Sequence, residues 1–135
     1  MSGFFGSIAK TDCVSHAFYG TDYHSHLGTK RAGLAFFKRE TGFQRAIHSL
    51  EDGYFRTKFE DDLVHFSGNS GIGVISDTES QPIVANSHLG KFAIATVSKI
   101  VNADELEAGF LKNHRTFSET SQGNVNPTEL VAMLI

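Results

Sequence analysis

The chain has 135 residues, 40% of them hydrophobic and 20% charged, which suits one globular domain with a sizeable core. A formal net charge of -3 supplies no basic field and argues against a general nucleic-acid binder, and no run approaches the ~20 apolar residues that span a bilayer. The single cysteine, Cys13, cannot close an internal disulfide, so a reducing, cytoplasmic setting is expected and Cys13 reads as a small buried apolar residue.

Residues 3 to 9 (Gly-Phe-Phe-Gly-Ser-Ile-Ala) are short and apolar and predict a buried strand; they lack the basic leader and the length of a secretory signal. Asp12 or Ser15 is placed to cap a helix running through Ala17, Phe18 and His24, with Gly28 ending it. Residues 31 to 37 predict a second buried strand and 43 to 50 a third with weak alternation, with Gly42 at the turn between them. Between 51 and 66, Phe55, Phe59, Leu63 and Phe66 recur at helical spacing. Glu60, Asp61 and Asp62 fill the remaining surface and read as a solvated face rather than a metal site.

Residues 68 to 76 and 91 to 101 predict two more strands. Asn102, with Glu105 three residues on, has the spacing of a capping box, and Gly109 weakens that helix by about 1 kcal/mol relative to Ala. Residues 118 to 126 are polar and turn-like, and Pro127 suits the first turn of a helix capped by Asn126. The chain closes on an uncapped apolar run from Glu129 to Ile135, expected to be a cut inside a longer polypeptide, with a packed C-terminal helix as the competing reading. Strands and helices alternate throughout, so the class is α+β or α/β.

Seven histidines invite a metal, but His24 and His26 diverge on a helix and no zinc spacing accompanies them. No metal and no cofactor are expected. The run Gly68-Asn69-Ser70-Gly71-Ile72-Gly73 lacks the Lys-Ser/Thr ending of a phosphate loop and reads as a turn into a closely packed strand.

The order of short motifs is more informative than any one of them. Met1-Ser2-Gly3-Phe4-Phe5-Gly6 is followed by His26-Leu27-Gly28, Gly68 to Gly73, Gln81-Pro82-Ile83-Val84, Phe92-Ala93-Ile94-Ala95, Asn102-Ala103-Asp104-Glu105-Leu106 and Asn126-Pro127-Thr128-Glu129-Leu130. This series resembles the class II glutamine amidotransferase domain, most closely that of amidophosphoribosyltransferases, along the whole chain. The resemblance implies the N-terminal nucleophile hydrolase architecture, a four-layer αββα sandwich, with residues 1–135 as its N-terminal part. It also implies a phosphoribosyltransferase-like domain downstream in the same protein and a place in purine biosynthesis. Oligomeric state is left open, a homo-oligomer included.

At the positions where that family keeps its chemistry, this chain differs. The family's nucleophilic cysteine, activated by its own freed amine, corresponds to Ser2. The arginine that grips the glutamine carboxylate corresponds to Ser76. The His-Asn-Gly run that builds the oxyanion hole corresponds to Thr96-Val97-Ser98, so Val97 stands where the amide donor belongs; loss of one such donor typically costs ~10²–10³ in rate. The aspartate that holds the substrate amine corresponds to Pro127. The expectation is a domain with no catalytic residue and a structural or regulatory role. Two alternatives stand beside it: an active amidohydrolase using Ser2 once Met1 is removed, and an unrelated α+β binding module. His26 reads as a structural histidine rather than a partner of Ser2.

Overall fold

Four short strands pair into one antiparallel sheet, and the alternation of side chains along each decides what covers its two faces. The computed structural model describes residues 2–26 and 30–135. The strands are β1 (Gly3–Ile8), β2 (Arg31–Lys38), β3 (Gly42–Ser49) and β4 (Ser70–Ser76), in the order β1-β4-β2-β3. Register is set by pairs such as Gly3↔Ile75, Gly33↔Val74 and Leu34↔Ala46.

One face carries Ala32, Leu34, Phe36 and Ile75 and is covered by α1 (Val14–His24) and α2 (Phe55–Leu63). Cys13, Val14, Ala17, Phe18, Phe55 and Phe59 complete this core, with the Phe18 and Phe55 rings stacked at 5.2 Å. Burying a residue of the Leu or Phe type contributes ~1.5–3 kcal/mol, so this layer supplies most of the driving force. α1 approaches the sheet closely because Gly73 has no side chain; a Cβ there would run into Thr21 and Leu34. The glycine-rich run is therefore a packing device, as its sequence predicts.

The start of α1 is tied to the start of β4. Asp12 Oδ1 accepts from the Val14 amide at 3.0 Å and Oδ2 from the Gly68 amide at 2.9 Å, while the Cys13 amide donates to the Gly68 carbonyl at 2.8 Å. The N-cap position itself is Cys13, so neither Asp12 nor Ser15 caps in the expected place; Asp12 does the capping from one residue earlier. α1 ends at His24, short of Gly28, and Leu27 and Gly28 lie outside the described residues.

The other face carries Phe4, Gly33, Ala35, Phe37, Phe43 and Arg45. Gly33 meets Gln81 and Pro82, which lie so close that an added Cβ would collide with the Gln81 carbonyl, and Arg45 Nη1 donates to the Pro82 carbonyl at 3.2 Å. From Pro82 the chain enters a hairpin of β5 (Ile83–Ser87) and β6 (Gly90–Ile94). Then come α3 (Ala103–Lys112), the short β7 (Thr120–Ser121) and β8 (Asn124–Val125), and α4 (Pro127–Ala132), which packs on β5. Gln122 and Gly123, at φ 54 and 82, form the two-residue turn between β7 and β8.

The α+β expectation holds, with antiparallel sheets and helices mixed along the chain. Several local expectations do not. β1 is not buried on both faces: Phe4 is 59% and Ile8 88% exposed, because this edge strand has a cover only on its α1 side. The strand expected over 91 to 101 stops at Ile94, since the backbone of Thr96 bonds to the side chain of Gln81 rather than to a neighbouring strand. β5 was not anticipated as a strand. Asn102 makes no side-chain cap bond; its ψ of 36 departs from the extended geometry that turns a cap side chain back onto the helix. Asn126 does cap α4, accepting from the Thr128 amide at 2.9 Å with Pro127 at the first helical position. Among the described residues no helix is long and apolar enough to cross a membrane.

Candidate functional site

One end of the main sheet gathers the positions singled out by sequence. The pairing Gly3↔Ile75, continued by one residue, sets Ser2 beside Ser76, and Ser76 is paired on its other side with Arg31. Side chains alternate along a strand, and Ile75 points into the helix-covered core; Ser76, Ser2 and Arg31 therefore share the opposite face. Ser2 is half-buried. Ser76 is 2% exposed and its Oγ has no hydrogen-bond partner among the described residues.

The turn after β4 closes over this row. Arg31 Nη1 donates to Ser80 Oγ at 2.5 Å, and Asn126 Nδ2 donates to the Ser80 carbonyl at 2.7 Å. Gln81, also 2% exposed, is the hub. Its Nε2 donates to the Thr96 carbonyl at 2.9 Å, and its Oε1 accepts from the Thr96 amide at 2.7 Å and from Thr128 Oγ1 at 3.1 Å. Thr96 Oγ1 and Thr128 Oγ1 lie 2.7 Å apart. Glu79, also buried, receives hydrogen bonds from Thr78 Oγ1 and, at 3.4 Å, from Gln81 Nε2.

This network brings the segment holding Val97 and Ser98 against the segment holding Pro127. Val97 is 42% exposed and Ser98 is exposed, while Pro127 is fixed as the first residue of α4. The four altered segments therefore meet at one end of the sheet, although they are far apart in sequence. Their side chains bring hydroxyls, one isopropyl group and one pyrrolidine ring.

His26 is exposed, its ring 5.8 Å from that of Tyr23. The histidine lying against β1 is instead His24, whose ring comes within 3.0 Å of where a Cβ on Gly3 would fall, on the helix-covered side and away from the Ser2 side chain. Sequence reasoning passed over Arg31 and Ser80 as site residues, and it noted Gln81 and Thr128 only as parts of motifs. Arg31 was visible as the first residue of an otherwise apolar strand. Away from this end of the sheet, burial pushes the Cys13 thiol up, Lys58 beside Asp52 holds that carboxyl below its ordinary range, and the hydrogen bond to Asp22 raises the Arg56 guanidinium.

No model of a known protein family and no curated protein matches the chain. Solved structures do. The glutamine phosphoribosylpyrophosphate amidotransferase from B. subtilis, complexed with ADP and GMP, superposes with a TM-score of 0.81 at 21% identity, over 99% of this chain and 29% of that one. A structure of an allosteric regulatory enzyme of purine biosynthesis superposes at 0.82 and 20% identity, with the same two coverages. At such identity the likeness carries the fold. The chain thus spans under a third of the length of these structures. The family resemblance drawn from motif order agrees with this fold.

Proposed function

We propose that residues 1–135 are the N-terminal part of a class II glutamine amidotransferase-like domain that lacks glutaminase activity. The domain supports, by packing or regulation, a phosphoribosyltransferase-like domain farther along the same protein, in purine biosynthesis or a diverged branch of it. The architecture would be the four-layer αββα sandwich. In favour of this, α1 and α2 cover one face of the main sheet, the β5–β6 hairpin lies on the other, and α4 packs behind β5.

The observation that carries the reading is the convergence of Ser2, Ser76, Val97 and Pro127 on one end of the sheet. Gln81 ties the turn after β4 to the segments that carry Val97 and Pro127, which supports reading the four replacements as one degenerate site. A glutaminase needs a nucleophile, an oxyanion donor and holds for both the carboxylate and the amine of glutamine. None of those four positions carries a thiol, a guanidinium, a side-chain amide or a carboxylate. Such groups act as a unit, so restoring one leaves the others missing.

The test is ammonia release from glutamine by the purified 135-residue chain and by the longest protein that contains it. The expected rate equals that of buffer alone. Glutamine-dependent release that disappears in Ser2→Ala would establish Ser2 as a working nucleophile and overturn the proposal.

A further inference from the structure

We propose that β1 is a docking edge for a second copy of this chain, giving a twofold dimer in which the two main sheets join into one. β1 stands at the edge of the order β1-β4-β2-β3 and pairs on one side alone. The Ala9 amide donates to the Asn69 carbonyl at 2.8 Å, in line with the register Ile8↔Ser70. Bonded pairs alternate along an antiparallel ladder, so the backbone groups of Gly3, Phe5, Ser7 and Ala9 face β4. Those of Phe4, Gly6 and Ile8 therefore point outward, and no described backbone bond uses them.

That edge is complementary to itself. A twofold axis beside Gly6 sets Gly6 against Gly6 of the second copy, Phe4 against its Ile8 and Ile8 against its Phe4. Each pair exchanges two N–H···O=C bonds, so all the outward groups of both strands are used. Phe4 and Ile8 lie on one face of the sheet, opposite Phe5, which packs under Gly20 of α1. They are 59% and 88% exposed, and the dimer places each directly across from the other, an aromatic side chain against a β-branched one.

Native edges are usually blunted by charge, proline or a bulge. β1, Gly-Phe-Phe-Gly-Ser-Ile, has no charge and no proline, and its register runs without a bulge; β3, at the other edge, carries Arg45 and His48. Self-pairing of β1 therefore meets no like-charge repulsion. α1 packs on both β1 and β4, inboard of the free edge, so the two α1 helices would run side by side at ~10 Å, an ordinary interhelical distance. The two strands with their exposed side chains bury on the order of 1,000 Å² in all, the lower bound for a specific interface, so a dissociation constant of ~10 µM is expected. The inference rests on strand register and is independent of the absent glutaminase chemistry.

The experiment is sedimentation velocity of the 135-residue chain from about 1 to about 200 µM, with the dimer expected to dominate at the top of that range. A Cβ at Gly6 would meet Ile72 Cγ2 at 3.8 Å and the Gly71 carbonyl at 4.0 Å, ordinary contacts, so the position accepts a side chain. Gly6→Lys and Gly6→Glu each set like charges face to face on the axis. Each is expected to weaken self-association at least tenfold, and an equimolar mixture of the two is expected to restore it. Gly6→Cys is expected to crosslink on mild oxidation, since bonded partners stand ~5.5 Å apart at Cα, whereas Ile8→Cys, with its two copies ~14 Å apart, is not. A monomer at every concentration, no loss of association in Gly6→Lys, or crosslinking of Ile8→Cys as fast as Gly6→Cys would each overturn the proposal. So would failure of Gly6→Cys to crosslink in the longest protein that contains these residues, which would mean that a strand from elsewhere in that polypeptide holds the edge.

Discussion

Gln81→Ala is the sharpest test of how this end of the fold is held. The Gln81 side chain is the described partner of both the amide and the carbonyl of Thr96, and it also accepts from Thr128 Oγ1. Truncation leaves two backbone groups without a protein partner, at ~1–3 kcal/mol each when buried, and Thr96 is only half-buried, so the lower figure applies. The vacated space adds a further ~1 kcal/mol or more, for a total of about 3 kcal/mol. For a chain of this size that corresponds to a fall in Tm of about 10 °C. Calorimetry or circular-dichroism melting would measure it, and hydrogen exchange would show protection lost first at the Thr96 amide. In a double-mutant cycle, Gln81→Ala and Thr128→Ala are expected to couple by ~0.5–1 kcal/mol. A loss below about 1 kcal/mol, with Thr96 protection retained, would mean that something other than Gln81 holds the segment carrying Val97.

Three further outcomes follow from the packing. Asp12→Ala removes the acceptor for two backbone amides that join α1 to β4 and is expected to lower stability by about 1–2 kcal/mol in denaturant titration. Gly73→Ala forces a methyl group against Thr21 and Leu34 and is expected to cost about 1–3 kcal/mol, measured the same way, whereas Gly109→Ala meets no atom within 4 Å and is expected to stabilise α3. Lys58, 2.6 Å away, holds the Asp52 carboxyl below its ordinary range. The pair's contribution is therefore present above the unfolded pKa of Asp52 and is lost as pH falls through the folded one; melting of Asp52→Asn against the parent should show a small deficit at neutral pH that closes in acid.

The helix-covered half of the fold was legible because burial writes its own period. Ala32, Leu34 and Phe36 recur every second residue, and Phe55 and Phe59 lie one helical turn apart; both patterns end in the same core. Where a distant side chain decided the outcome, composition misled. The run from Lys91 to Val101 is apolar enough for one strand, yet it breaks at Ile94 because Gln81, fifteen residues before Thr96, takes the hydrogen bonds a neighbouring strand would have taken. The capping box failed for a related reason: spacing fixes which residues can meet, and the backbone angle at Asn102 decides whether they do. In the site, Ser2, Ser76, Val97 and Pro127 were identifiable only through the order of motifs. That Arg31 stands next to Ser76 is a property of strand register, which no local pattern records.

The two faces of the sheet also differ in how tightly they constrain these four positions. None of Ser2, Ser76, Val97 and Pro127 belongs to the core formed with α1 and α2, so that layer does not constrain them. Pro127 suits the first turn of α4, and Val97 is open to solvent, so neither should destabilise the chain. Ser76 is the exception, since its sealed hydroxyl, unpartnered among the described residues, carries the penalty of a buried polar group with no return in hydrogen bonding. Ser76→Ala is therefore expected to raise stability, by about 1 kcal/mol or a Tm gain near 3 °C. Melting curves in chloride buffer would decide it. A loss of 1 kcal/mol or more would mean that Ser76 has a hydrogen-bond partner in solution, and the asymmetry drawn here between the two faces would fail with it.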